Sequence, residues 1–157
     1  MNMTVQIKKM SERDCGAVWE LQKKCFSVPW SLESIREMFE TEGYLNLTAW
    51  EDGVLVGYIG IKAVLDEADI TNVAVHPDHR RQGIGKQLLE KLLRQAAAEG
   101  VCRIFLEVRT SNAAARALYE GAGFQIIDIR KNYYEKPKED AYIMVWDFLM
   151  PDTAGET

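Results

Sequence analysis

The stretch HRRQGIGKQLL, residues 79–89, places two glycines directly before a leucine-rich pattern with an apolar residue at every fourth position. That spacing predicts an amphipathic helix beginning at the glycines. A strand pattern, ADITNVAVH at 68–76, precedes it, and the apolar run RIFLEV follows at 103–108. Because a strand–helix–strand crossover makes its two strands parallel, this unit predicts a central parallel pair. The apolar run is typical of a strand buried on both faces.

The first part of the sheet is predicted to be antiparallel. Asp52-Gly53 separates two β-forming runs and is the dipeptide typical of a two-residue hairpin. Other predicted elements are a strand over Thr4–Lys9, a helix after the capping pattern of Ser11 with Asp14, helices over about Ser31–Gly43 and Asn112–Ala122, and strands near Phe124–Ile129 and Tyr142–Phe148. The fold class is therefore α/β, with a mixed sheet flanked by helices.

Composition limits the function classes. The chain has 157 residues, 47% of them hydrophobic, which favours one domain over 1–149, with 150–157 as a frayed tail. A net charge of -5 argues against direct binding of nucleic acid or an anionic membrane. Three scattered cysteines without a CxxC pair argue against a disulfide framework. No signal peptide or long apolar run is evident, so we expect a cytoplasmic protein.

The glycine turn before the helix is a candidate phosphate site. Backbone N–H groups at a helix start point outward, and the helix dipole favours an anion there. Arg80, Arg81 and Lys86 add positive charge. A Walker loop and a dinucleotide fingerprint are both excluded, because Arg80 and Leu88 stand where those motifs need glycine. The alternative is an ordinary strand-to-helix turn with solvated basic residues.

The Arg-x-x-Gly-x-Gly spacing at 80–85 resembles the acetyl-CoA pyrophosphate loop of the GNAT acetyltransferase superfamily. LEVRTSNAAARALYEGAGF at 106–124, RKNYYE at 130–135 and EDAYIM at 139–144 are similar to the RimI-type ribosomal-protein-alanine N-acetyltransferases. The resemblance implies the GNAT fold and acetyl-CoA as co-substrate. It implies cofactor contacts, including a backbone amide that polarises the thioester, from Val73, Ala74, Val75, Arg80, Arg81, Gln82, Gly83, Ile84, Gly85 and Lys86.

Three residues are candidates for the chemistry. Glu107 interrupts an apolar strand, where desolvation would raise its pKa towards that of a useful base; the alternative is an ion pair with Arg109. Tyr119 lies two helical turns after Asn112, a spacing equally typical of a core residue. The resemblance implies that Glu107 is the general base, directly or through a water, and that Tyr119 is the general acid. Asn112 is expected to bind the pantetheine arm, to cap the helix, or both.

The acceptor side is less defined. The resemblance places Tyr133 and Tyr134 along the wall of a peptide cleft, although both also fit half-buried sheet positions. Trp30 fits either the substrate groove or a hydrophobic staple before a helix. At pH 7 an α-amine costs about 1 kcal/mol to deprotonate and a lysine about 4.6 kcal/mol, so a single carboxylate suits the α-amine better. The resemblance implies the N-terminal alanine of a small-subunit ribosomal protein.

Other functions stay open from the sequence. A small-molecule amine or another peptide could be the acceptor, and a non-catalytic acyl-CoA-binding module is a third hypothesis. No GxSxG elbow or Cys-His pair indicates a covalent acyl-enzyme, so direct transfer in a ternary complex is expected. His76 and His79 are the only histidines, and a metal would need further ligands, so none is expected.

Overall fold

The computed structural model describes residues 5–80 and 82–148. The strands are β1 Gln6–Lys9, β2 Tyr44–Glu51, β3 Val54–Val64, β4 Glu67–Val75, β5 Arg103–Arg109, β6 Gln125–Glu135 and β7 Lys138–Asp147. The helices are α1 Cys15–Cys25, α2 Leu32–Glu40, α3 Ile84–Ala98 and α4 Ala113–Gly121, with short 3-10 turns at Glu12–Asp14 and Pro77–His79.

All of these strands form one mixed sheet in the order β1-β2-β3-β4-β5-β7-β6. Strands β4 and β5 are parallel, and the other neighbouring pairs are antiparallel. The predicted α/β class, with antiparallel first strands and a parallel central pair, is confirmed. The β2–β3 hairpin turns at Asp52 and Gly53, with φ of +50° and +78°. Both residues are left-handed, as a tight turn matching the twist of the two strands requires.

Helices cover the two faces of the sheet unequally. Helices α3 and α4 pack on one face, where Leu88, Leu92 and Tyr119 join a cluster with Ile104 and Leu106 of β5. Helices α1 and α2 pack on the other face against β3 and β4, in a second cluster that contains, among the described residues, none from β5. One face of β5 is therefore free of helices.

Strand β5 consequently differs from its prediction as a strand buried on both faces. Ile104, Leu106 and Val108 are buried, whereas Phe105 and Glu107 are half-buried. The strand is parallel to β4 on one side only and antiparallel to β7 on the other. Its second face forms the floor of a groove instead of a core.

Strands β4 and β5 pair only at the start of β4, with Glu67 opposite Arg103 and Asp69 opposite Phe105. Beyond Asp69, β4 follows β3 alone, with a register shift at Gly60. The two parallel strands thus separate towards their carboxyl ends. Ligands of open α/β sheets collect at such ends, and the separation leaves a gap there.

The end of the domain is longer than predicted. Strand β6 extends to Glu135 instead of ending near Ile129, and β7 begins at Lys138. The polar segment 136–140, which lies between the two predicted strands, therefore forms a tight hairpin turn followed by the start of β7. The domain bounds at 1–149 stay a prediction, and both the tail at 150–157 and Thr4 of the predicted first strand lie outside the described residues.

Candidate active site

A groove of about 880 Å³ lies where β4 and β5 separate. Its lining includes Asn72 and Val73 of β4, Glu107 of β5 and Tyr119 of α4. Tyr134 of β6 belongs to its outer wall. The groove thus joins three strands, α4 and the segment from Cys25 to Val28, and its lining residues are up to 112 positions apart along the chain, from Cys25 to Pro137.

Glu107 has the environment expected of a base. Burial raises the pKa of its carboxyl group, the negative charge of Asp69 raises it further, and Arg130 opposes both. The alternative ion pair with Arg109 is not formed, because the Arg109 guanidinium lies 3.3 Å from Glu139 instead. Glu107 is therefore a half-buried carboxylate that has no ion-pair partner among the described residues, and it faces the groove.

Tyr119 is both a core residue and a groove residue. Its ring packs edge-on against Phe124, with centroids 5.7 Å apart, and only 8% of the residue is exposed. Burial raises the pKa of its hydroxyl group to about 12. The hydroxyl therefore keeps its proton at neutral pH, as a proton donor must.

Asn112 combines the two roles predicted for it in a compatible way. Its Oδ1 accepts a hydrogen bond from the Ala115 N–H at 3.1 Å, which caps α4. The residue also lines the groove. Among the described residues no hydrogen bond engages its amide nitrogen, so that group stays available to a ligand.

The start of α3 fits a pyrophosphate group. Gly83 is its N-cap with φ of +78°, and no side chain caps the first turn. A Cβ atom placed on Gly83 would meet no heavy atom within 4 Å, so the space beside this residue is open. Such a helix start offers uncapped donors and a positive dipole to an anion.

The side chains of this loop differ in whether they are bonded within the protein, buried or exposed. Arg80 Nε donates to the Val75 carbonyl at 3.2 Å, and the Cys25 thiol donates to the same oxygen at 3.3 Å. Ile84 is buried in the core, so only its backbone faces outward. Gln82 and Lys86 are exposed.

The remaining residues predicted to contact the cofactor lie in different surroundings. Val73 lines the groove, whereas Ala74 is buried in the cluster of α1 and α2. Gly85 lies close to α4, since a Cβ there would be 3.5 Å from Leu118. Arg81 lies outside the described residues. The assignment of these residues to the cofactor stays a prediction.

The predicted acceptor residues do not all come together. Tyr134 lines the groove, and Tyr133 contacts it with ring centroids 5.0 Å apart. Burial raises the pKa of Tyr133, and so does the charge of Glu107. Trp30 lies instead in a separate hollow of about 580 Å³ with Tyr44 and Lys62. The structure does not bring Trp30 to the groove that holds Glu107.

Sequence reasoning missed the roles of two residues at the site, of which Arg109 lines the groove and Asp69 acts on Glu107. Asp69 acts on Glu107 from the neighbouring strand, and Arg109 holds the groove wall. The register of β4 against β5 would have found Asp69, because it places Asp69 opposite Phe105, two residues before Glu107. Nothing in the local sequence of Arg109 indicates a partner 30 residues away at Glu139.

Both histidines lie next to polar groups of the protein. His79 lies 3.4 Å from Glu51, and His76 Nδ1 accepts from the Asp78 N–H at 3.1 Å. In the part of the chain that the structure describes, no three His, Cys, Asp or Glu residues are grouped to hold a metal ion. Nor does any helix within residues 5–80 and 82–148 have the length and apolar character needed to cross a membrane.

The chain is similar to a known family of acetyltransferases and to individual proteins within it. Residues 16–124 match the Acetyltransferase (GNAT) family. The chain is 40% identical over 146 residues to the ribosomal protein bS18-alanine N-acetyltransferase of Escherichia coli K12, covering 92% of this chain and 98% of that protein. It is 37% identical over 145 residues to a protein of Bacillus subtilis named as a putative enzyme of the same kind, covering 92% and 96%.

Solved structures agree with these sequence relatives. The crystal structure of the ribosomal-protein-S18-alanine N-acetyltransferase from Escherichia coli superposes with a TM-score of 0.86 at 38% identity, covering 94% of this chain and 96% of that one. Ard1 from Thermoplasma volcanium superposes with a TM-score of 0.82 at 26% identity, covering 93% and 99%. Both superpositions cover more than nine-tenths of this chain.

Proposed function

Because the chain belongs to the acetyltransferase (GNAT) family and is an N-acetyltransferase, we propose that it acetylates the N-terminal α-amine of a protein, namely the N-terminal alanine of a small-subunit ribosomal protein. The observation that carries the proposal is the groove, whose lining brings together Glu107 of β5 and Tyr119 of α4 where β4 and β5 separate. The names of the relatives support the alanine acceptor. A ribosomal acceptor also agrees with the expected cytoplasmic location.

Acetyl-CoA supplies the acetyl group as a thioester. The first turn of α3 would hold its pyrophosphate through backbone N–H groups, with Gly83 leaving the approach open. The amide nitrogen of Asn112 would bind the pantetheine arm. These contacts direct the thioester along α4 towards the groove, where Val73 and Glu107 lie.

Glu107 removes a proton from the acceptor amine, directly or through a water. An α-ammonium group with a pKa of about 8 is only partly neutral at pH 7, and an amine attacks only when it is neutral. Because the pKa of Glu107 is raised, it lies closer to the pKa of the amine, and the proton transfer from the amine to the carboxylate becomes easier. The proton then resides on a Glu107 oxygen.

Tyr119 returns a proton to the leaving sulfur. A thiol has a pKa of about 8.5, so a thiolate is a weaker base than a tyrosinate with a pKa of about 12. The amine nitrogen bonds to the carbonyl carbon as the carbon–sulfur bond breaks, and the Tyr119 proton goes to the leaving sulfur. The tyrosinate, as the stronger base, then takes up the proton that Glu107 removed from the amine, directly or through solvent, which restores both residues. The overall reaction balances, since one proton leaves the amine and one reaches the sulfur.

The test is a panel of acceptors incubated with acetyl-CoA and the purified protein. It contains the N-terminal peptide of the host ribosomal protein beginning with alanine, the same peptide with a blocked α-amine and one internal lysine, a polyamine and an aminoglycoside. Mass spectrometry of the products is expected to show acetylation of the free alanine peptide alone. Turnover confined to the small amines would refute the ribosomal acceptor.

The matched variant is Glu107→Gln, which keeps the shape of the side chain and removes the base. We expect kcat on the alanine peptide to fall at least about 100-fold. Binding of acetyl-CoA, measured by calorimetry, should stay within about twofold of the parent protein. A variant with full activity would rule out Glu107 as the base.

A further inference from the structure

We infer that Arg109 is a positioning residue for the acceptor, and that it fixes the outer wall of the groove relative to Glu107. The wall in question is the hairpin tip, defined as residues 132–138, which contains Tyr134. The inference rests on the proposed function, because it takes the groove to be the place where the acceptor binds. Its mechanical part, the link between Arg109 and the hairpin tip, is independent of which amine is acetylated.

The guanidinium of Arg109 donates hydrogen bonds to the hairpin from both terminal nitrogens and also lies over the Tyr134 ring. Nη1 donates to the Pro137 carbonyl at 2.9 Å, and Nη2 donates to the Lys136 carbonyl at 3.1 Å. Nη1 also lies 3.3 Å from the Glu139 carboxylate. The Cζ atom of the group lies over the Tyr134 ring, 4.1 Å from its centroid. A planar fork with several fixed donors can hold a turn in this way, whereas an ammonium group cannot.

Glu139 extends the link to the cofactor side of the groove. Its Oε2 accepts the Ser111 N–H at 2.7 Å and the Thr110 hydroxyl at 3.2 Å. Those hydrogen bonds hold the pKa of Glu139 below its usual range, so it stays charged opposite Arg109. Ser111 directly precedes Asn112, the N-cap of the helix that carries Tyr119. One ion pair thus connects the hairpin tip with the start of α4.

The hairpin tip needs such a link because the backbone ladder does not hold it firmly. The pairing of β6 with β7 is interrupted between Arg130 and Tyr134, where β6 carries two more residues than β7. Asn132, inside this bulge, has φ of +56°. Beyond the bulge only the pairs at Tyr134 and Glu135 remain. Side-chain contacts supplement the ladder here: the Asn132 N–H donates to Asp140 Oδ1 at 2.8 Å within the hairpin, and Arg109 of β5 holds the turn at Lys136 and Pro137.

Arg109 is also well placed to relate the wall to the base. It lies two residues after Glu107 on β5, so the two side chains leave the same face of one strand. Any shift of the hairpin tip changes the width of the groove at Tyr134 while Glu107 stays fixed in the sheet. An acceptor peptide that contacts both would then bind in a less productive position.

The experiment compares Arg109→Met and Arg109→Lys with the matched control Arg103→Met. Arg103 lies at the other end of β5 and forms a similar pair, with Asp147 at 2.8 Å and Glu67 at 3.4 Å, but it does not line the groove. Hydrogen exchange is measured first, in the absence of substrates. Arg109→Met should speed exchange of the amides in the hairpin tip at least about tenfold, and Arg103→Met should leave them unchanged.

Kinetics are then measured with an alanine peptide of six residues and with alaninamide, which lacks the further residues that a peptide would place against the hairpin tip. Arg109→Met should lower kcat/KM for the peptide about tenfold, leave KM for acetyl-CoA within about twofold and affect alaninamide little. Arg109→Lys should recover part of the loss, since it retains the charge beside Glu139. Arg103→Met should behave as the parent protein.

Three results would overturn the inference: unchanged exchange in the hairpin tip, equal losses for peptide and alaninamide, or a loss expressed in KM for acetyl-CoA. Failure of the proposed function looks different. In that case the parent protein itself does not acetylate the alanine peptide, and the same comparison is made with the longest and shortest amines of the panel that it does acetylate.

Discussion

Asp69 and Glu107 lie on the same face of the sheet at the point where β4 and β5 separate. Asp69 pairs with Phe105 in the last register position of the parallel ladder, and Glu107 follows Phe105 by two residues. The charge of Asp69 raises the pKa of Glu107, second only to the effect of burial. The candidate base is thus tuned by a carboxylate 38 positions earlier in the chain.

Asp69→Asn should lower the pKa of Glu107, because it removes the nearest negative charge while Arg130 still favours the ionised form. A base works only when deprotonated, so the acid limb of the pH profile of kcat/KM should move to lower pH. The other groups that interact electrostatically with Glu107 are Tyr133 and Tyr134, which stay neutral in this range.

The control for this shift is Glu67→Gln. Burial raises the pKa of Asp69 and the charge of Glu67 raises it further, but Glu67 is not among the groups that shift the pKa of Glu107. The pH profile of Glu67→Gln should follow that of the parent protein. An acid limb that moves upward in Asp69→Asn, or equally in both variants, contradicts the assignment of that limb to Glu107.

Tyr119→Phe removes the hydroxyl group and keeps the packed ring, so it tests the proposed acid role without changing the core. The ring keeps its contact with Phe124, and no hydrogen bond among the described residues engages the hydroxyl, so stability should change by less than about 1 kcal/mol. If Tyr119 is the general acid, kcat should fall about 100-fold. Tyr142→Phe, in the same core cluster but outside the groove lining, is the control and should retain full activity. Comparable kcat values for the two variants would exclude the acid role.

Gly83→Val should weaken the binding of acetyl-CoA. The φ of +78° costs a side chain about 1–2 kcal/mol, and the valine would fill the open space beside Gly83, which the pyrophosphate is proposed to approach. Gly100→Val, at the other end of α3, has the same strain at φ of +91° and the same open surroundings. Both variants should lose stability, but calorimetry should show weaker binding for Gly83→Val alone. Equal affinities would place the pyrophosphate elsewhere.

Gly121→Ala should stabilise the protein by about 0.5–1 kcal/mol. Gly121 is the last residue of α4 and has no positive φ, and a Cβ there would meet no heavy atom within 4 Å. The gain comes from reducing the freedom of the unfolded chain. Thermal unfolding should show a higher Tm with unchanged kcat. A lower Tm would mean that the helix end depends on glycine in a way that its surroundings do not show.

Local patterns in the sequence were sufficient to predict which helices and strands follow one another along the chain. Asp52-Gly53 specified a hairpin because both residues accept a left-handed backbone without help from distant contacts. Gly83 specified the start of α3 for the same reason. The crossover rule then fixed β4 and β5 as parallel, since handedness leaves one arrangement for a strand, helix and strand.

The environment of the site was decided by tertiary structure. Whether Arg109 pairs with Glu107 or with Glu139 depends on β7 lying beside β5, which no local pattern specifies. The same holds for Asp69 beside Glu107, and for Trp30, which lies in a different hollow.

The chain by itself thus determined which residues could do the chemistry, because residue type and local backbone preference are properties of neighbouring positions. Only the folded sheet decided their partners, because charge, burial and groove shape depend on residues brought together from positions about 30 to 60 apart, as for Arg109 with Glu139 and Asn72 with Tyr134.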